Sequence, residues 1–217
     1  MAIDYEGKYT LGEEVANSII HGFGALLSVA GLSVLVTLAS IYGDGWRVVS
    51  FAIYGATMII MYLASTFYHG FTNRKVKAFF RVFDHSAIFL LIAGTYTPFT
   101  LVTLRGAWGW TLFGLIWGFA TAGIIVTVFL MHRLKWVAIL IYVIMGWLVV
   151  IAVKPMLSGL PFAGLMWLLS GGLFYTGGIV FYIWDDLPYN HAIWHVFVLL
   201  GTMSHFFCIL FYVLPMK

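Results

Sequence analysis

The chain has 217 residues, of which 63% are hydrophobic and 9% charged, with a mean hydropathy of +1.01; soluble domains run roughly 45–50% apolar and about 25% charged. This composition excludes a soluble enzyme and identifies an integral membrane protein. The formal charge of +3 has no soluble basic face to sit on, so it is a topology signal and no nucleic-acid partner is expected.

Apolar runs recur at near-regular intervals, each about 20 residues long, enough for a helix to cross a hydrocarbon layer of roughly 30 Å. Short alternating strands are absent, which argues against a barrel. The expected architecture is one all-α domain over residues 1–217, a bundle of seven transmembrane helices in the cell membrane. Residues 1–15 form a short N-terminal segment without the basic start and cleavage site of a signal peptide, and are expected to stay in the mature chain. The single cysteine, Cys208, lies in an apolar span, so no disulfide forms within the chain.

The first span starts near Leu11 and enters the bilayer near Ile19. Thr10 and Glu13 match a capping box, and Glu13 and Glu14 sit where the helix dipole favours acids. Glu13, Asn17 and His21 then share one stripe at i, i+4 spacing, with Gly22 and Gly24 permitting close packing beside them. A turn at Gly43, Asp44 and Gly45 leads to the second span, Trp46 to Tyr68, followed by His69 four residues after Ser65. The segment 72–81 reads as a loop and holds Arg74, Lys75, Lys77 and Arg81, the densest positive cluster.

The third span, Val82 to Leu104, opens with Asp84 and His85 and contains Pro98, which removes a backbone bond and should kink the helix. The fourth (Trp110 to Met131) and fifth (Trp136 to Val153) contain no ionisable residue apart from tyrosine and read as scaffold and lipid-facing wall. His132, Arg133 and Lys135 form a basic loop between them, and Lys154, Pro155 and Pro161 bracket the next. The sixth span, Phe162 to Trp184, carries Gly171, Gly172, Gly177 and Gly178, suited to tight helix contacts. After Pro188, Asn190 is the expected cap of the seventh span, which runs to Leu214.

Placing the N-terminus inside puts seven of the basic residues in inner segments (Lys8, Arg74, Lys75, Lys77, Arg81, Arg133, Lys135) and four in outer ones (Arg47, Arg105, Lys154, Lys217). The positive-inside rule therefore favours a cytoplasmic N-terminus and an external C-terminus.

This topology brings His21, His69, Asp84, His191 and His195 to one depth near the inner face. His191 and His195, four apart, stack on one side of a helix in a chelating geometry. Ionisable groups at membrane depth are candidates for function. Three neutral imidazoles suit Zn²⁺ and leave its fourth position open, as in catalytic sites. A nearby carboxylate such as Asp84 can hold or deprotonate a metal-bound water. His205 lies roughly 20 Å deeper and is left out of the cluster. The competing readings are interfacial histidines bonded to backbone, and haem held by pairs other than His191 and His195, which cannot reach opposite faces of one haem.

In the stretches GEEVANSIIHGFGA, Ser65-x-x-x-His69 followed by Asp84, and NHAIWHVFVLL, the sequence resembles the haemolysin III family, the bacterial branch of the progestin and adipoQ receptor proteins. The resemblance implies a seven-helix bundle with a cytoplasmic N-terminus. It implies zinc held by His69, His191 and His195, Asp84 holding the zinc-bound water, and Ser65 beside the site. Kinship with alkaline ceramidases implies hydrolysis of a lipid amide. The expected function is thus a zinc-dependent hydrolase of a membrane lipid amide or ester, acting in membrane homeostasis. The alternatives are a non-enzymatic sensor or receptor-like protein, or a haemolytic pore former, with zinc as a structural element.

Overall fold

A computed structural model describes residues 9–130 and 135–214. Lys8, Arg133 and Lys217, used above for orientation, lie outside the described residues, as do His132 and the side chain of Lys135. Among the described residues there are helices and no strands. They form α1 (Leu11–Tyr42), α2 (Gly45–Gly70), α3 (Arg74–Pro98), α4 (Ala107–Leu130), α5 (Lys135–Trp147), α6 (Val153–Gly159), α7 (Phe162–Ile183) and α8 (Asn190–Cys208). With α5 and α6 joined into a single span, seven segments are long and apolar enough to cross a membrane. The chain is a multi-pass, all-α membrane protein.

The helix boundaries follow local chemistry. Thr10 and Glu13 close the capping box on α1: Glu13 N–H donates to Thr10 Oγ1 at 3.3 Å, and Thr10 N–H donates to Glu13 Oε2 at 2.8 Å. Asp44 caps α2 by accepting from Arg47 N–H. The segment expected as a basic loop is instead helical from Arg74. Asn73 Oδ1 accepts from the N–H groups of Lys75 and Val76 and starts α3 two turns early, so only 71–73 link α2 to α3.

Pro98 ends α3, and the chain continues as a π-helical turn, Phe99–Thr103, closed by Leu104 N–H donating to Phe99 O at 2.8 Å. The fifth span reaches Gly159 rather than ending at Val153. It is interrupted by a 3₁₀ segment, Leu148–Ala152. Two causes meet there. Pro155 cannot donate to the preceding turn, and the Tyr96 hydroxyl inserts into the ladder, donating to Gly146 O at 3.0 Å while accepting from Val149 N–H at 2.9 Å. Lys154 and Pro155 consequently belong to α6 and not to a loop.

Asn190 is not the cap of α8. Tyr189 occupies that position in the left-handed region with φ 58°. Asn190 is buried, and its side-chain amide donates to Phe181 O at 3.2 Å on α7.

Helices α1 to α4 each pack on the next, and α8 packs on both α7 and α1. Burial reaches 56% and 61% over the central windows of α2 and α3 but only 11% over the fifth span, so α2 and α3 form the interior. Gly24 on α1 lets Tyr62 of α2 lie against the helix backbone; a Cβ there would come within 2.6 Å of the ring. Tyr62 Oη can then donate to Thr202 Oγ1 on α8 at 2.9 Å. Interhelical hydrogen bonds of this kind contribute about 0.6 kcal/mol on average in membranes, so small-residue packing carries much of the association.

Candidate metal centre

The starts of α1, α3 and α8 and the end of α2 meet at one end of the bundle. His69, His191 and His195 converge there, each offering a ring nitrogen, with the three nitrogens within 4.8 Å of one another. All three residues are buried. The two histidines on α8 sit one turn apart with ring centroids 4.5 Å apart, and His69 lies 5.1 Å from His191 and 5.0 Å from His195.

Two of these imidazoles are oriented through their far nitrogens by α1. His69 Nδ1–H donates to Glu14 Oε2 at 2.6 Å, and His195 Nδ1–H donates to the Asn17 carbonyl at 3.2 Å. In a neutral imidazole this leaves the lone pair on Nε2. His69 Nε2 is buried and has no hydrogen-bond partner, the condition of a nitrogen kept for a cation. Carboxylate and carbonyl acceptors behind histidine ligands are the usual outer support of a metal site. Three converging imidazoles, two of them so prepared, fit a small divalent ion with nitrogen preference, Zn²⁺ foremost.

The Glu14 carboxylate is itself anchored. Its Oε1 pairs with Lys77 Nζ at 2.8 Å, and Lys77 also donates to Tyr68 O at 3.0 Å and lies over the Tyr68 ring. Glu14 and Lys77 are both buried, so the pair depends on its hydrogen bonds to offset desolvation. Tyr9 closes the outside of the cluster, its ring 5.0 Å from His191 and 6.2 Å from His69.

Asp84 and Ser65 stand beside the triplet and outside it. Both are buried. Ser65, one turn before His69, directs its hydroxyl toward the Asp84 carboxyl. Asp84, His21, His191 and His195 line one cavity of about 350 Å³ that extends to Leu104, Met156 and His205. His21 stacks face to face on His195, centroids 3.5 Å apart and planes within 9°. It is therefore a neighbour of the triplet and no member of it. His85 also lines the cavity; its Nδ1–H donates to Arg81 O at 2.9 Å and lies 3.6 Å from Asp84 Oδ2.

The structure revises the expected stripe on the first span. Glu13 is spent on the capping box and on the Tyr189 N–H, which it accepts at 2.9 Å; Glu14 is the acid that faces the histidines, with Asn17 and His21 one and two turns on. The capping box held the signal, since a side chain reaching back to its N-cap cannot also reach inward. Lys77 was hidden among the basic residues taken for a loop. The fifth span is more than lipid-facing wall, because Tyr142, Gly146 and Val150 line the cavity and Tyr142 Oη donates to His85 O at 2.8 Å.

Residues 9–206 match the family model described as "Haemolysin-III related". The chain is 51% identical to "Hemolysin-3" of Bacillus cereus over 203 residues, covering 94% of this chain and 93% of that protein. It is 47% identical to the "Hemolysin-3 homolog" of Bacillus subtilis (strain 168), covering 94% and 96%. Similarity extends to the human "Monocyte to macrophage differentiation factor", 31% identical over 212 residues and covering 94% and 86%. A family match along nearly the whole chain, with the histidine end and the apolar cavity on one bundle, establishes that this membrane protein belongs to the haemolysin-III related family.

Proposed function

We propose that the chain is a zinc-dependent hydrolase that takes a membrane lipid from the bilayer and cleaves an amide or ester bond, adjusting membrane composition. The observation that carries this reading is the shared cavity: Asp84, His191 and His195 form one end of an otherwise largely apolar chamber within the bundle. Its volume of about 350 Å³ falls in the range of small-molecule sites, roughly 300–1,000 Å³. An acyl chain fills such a space, with its polar head left at the histidines.

His69, His191 and His195 would hold the ion, and Zn²⁺ when bound supplies a Lewis acid that polarises a carbonyl and makes water acidic. The remaining roles fall to the chain. Asp84 orients a water at the cavity wall and takes up its proton. Ser65, beside that carboxylate, helps hold it and offers its hydroxyl to the lipid head. Glu14 and Asn17 hold two imidazoles in one tautomer, and Tyr9 limits water entry from the end of the bundle. Arg74, Lys75 and Arg81 at this end support placing it in the cytoplasm.

The names of the Bacillus relatives raise a haemolytic pore as the rival. The Tyr62 and Tyr175 hydroxyls both bond Thr202 Oγ1, which donates to Val198 O, and Tyr54 Oη donates to Thr202 O. Hydroxyls consumed by each other do not line a hydrated column, which favours a lipid chamber.

The deciding experiment compares wild type, Asp84→Asn and His195→Ala for zinc content and for lipids extracted from expressing cells. Asp84→Asn should keep zinc and lose hydrolysis by roughly 10²-fold or more, the scale of general acid–base contributions. His195→Ala should lose both. Identical lipid profiles in all three would sink the hydrolase and leave a sensor.

A further inference from the structure

The far half of the cavity contains a histidine, His205, set apart from the cluster at the near end. His205 on α8 is 8% exposed and lines the chamber. Its Nε2–H donates to Leu168 O on α7 at 3.1 Å, so in the neutral ring Nδ1 carries the lone pair. That Nδ1 is buried and without a hydrogen-bond partner. The ring is fixed in place. Gly171 leaves room for it, since any side chain there would collide with the imidazole, and the Tyr175 ring packs 5.6 Å away.

The donors nearby are committed elsewhere. The Tyr175 and Tyr62 hydroxyls serve Thr202 Oγ1, Thr202 serves Val198 O, and Cys208 Sγ donates to Gly164 O. An acceptor held at membrane depth with no donor is costly unless something brings one. Ten residues of α8 separate His195 from His205, about 15 Å along the helix. The two polar points therefore stand at opposite ends of an apolar stretch.

We infer that His205 forms a distal polar subsite that accepts a hydrogen bond from a hydroxyl carried mid-chain by the lipid in the cavity. This rests on the reading of the cavity as an acyl-chain site. A hydroxyl about twelve carbons from the head group spans the separation, given carbon–carbon bonds near 1.5 Å in a zigzag chain. The ligand class is a long-chain hydroxylated acyl lipid, distinguished from its plain counterpart by one donor at the right depth.

The test is binding of stearate, 12-hydroxystearate and 2-hydroxystearate to the purified full chain in detergent, measured by titration calorimetry. Wild type should bind 12-hydroxystearate about tenfold more tightly than stearate, the worth of one hydrogen bond to a waiting acceptor. His205→Phe should abolish that preference, bringing the two affinities together whatever their common value; His205→Gln, which keeps an acceptor, should retain part of it. Preference for 2-hydroxystearate, if any, should not depend on His205. Equal binding of stearate and 12-hydroxystearate by wild type overturns the subsite on the unaltered protein, whether or not a variant folds. So does a preference that survives His205→Phe. Failure of all three probes to bind would overturn the acyl-chain reading and the subsite with it.

Discussion

Glu14 Oε2 and His69 Nδ1 are 2.6 Å apart, a buried carboxylate accepting the N–H of an imidazole whose other nitrogen faces the histidine triplet. The contact joins α1, which supplies none of the three histidines, to α2, which supplies one. It fixes both the ring plane and the tautomer of His69. Removing the charge from such an outer-shell partner typically lowers metal affinity by about 10–100-fold.

Glu14→Gln should therefore fold, bind zinc more weakly by about that factor, and leave Lys77 buried without its counter-charge. Adding Lys77→Met should restore stability but not affinity. Zinc competition against a chelator, with thermal unfolding in parallel, separates the two. Unchanged affinity in Glu14→Gln would show that the carboxylate serves only the ion pair.

Metal content follows the triplet. Purified wild type should carry about one zinc per chain, and His191→Ala and His195→Ala should carry little, since three protein ligands are the minimum of a catalytic zinc site. Elemental analysis reads this directly. Full occupancy in both variants would remove α8 from the site.

The orientation can be read chemically. Thr72→Cys, exposed in the link between α2 and α3 and made in a Cys208→Ala background, should react with a membrane-impermeant thiol reagent only in opened cells. Labelling of intact cells would turn the histidine end outward.

Tyr96→Phe probes the broken fifth span. It deletes the hydroxyl that serves both Gly146 O and Val149 N–H, and two backbone groups left without partners should cost roughly 1–3 kcal/mol each if no water replaces it. A lowered melting temperature with zinc content intact is expected. An unchanged melting temperature would mean the break is set by Pro155 alone.

The periodicity of apolar runs made seven spans legible, because length and hydropathy decide which segments cross a bilayer. The depth argument brought His21, His69, Asp84, His191 and His195 to one level, because topology fixes which helix ends meet; the choice of His69, His191 and His195 among them came from the family resemblance, and the structure brings those three ring nitrogens together. The same reasoning could not separate Glu13 from Glu14, whose stripes differ by a fraction of a turn; only the demand of the cap decides. The early start of α3 turned on one side chain, Asn73, outweighing four basic residues that suggested a loop. The break in the fifth span depends on Tyr96, about fifty residues away in sequence, and no local pattern in 146–152 records it. Tyr189 in the left-handed region, in place of an Asn190 cap, is likewise set from outside, since Glu13 of α1 receives its N–H.

That last contact, together with the division of the histidines between α2 and α8, bears on how the molecule is made. A nascent chain threaded into the bilayer from its N-terminus carries one of the three imidazoles early and must wait for its final helix to obtain the others. Until then Glu13 has no Tyr189 to hold and the triplet does not exist. On the proposed zinc reading, metal uptake would then be a completion signal. A chain stalled or truncated before α8 cannot form the three-histidine site, whatever the state of its first six spans.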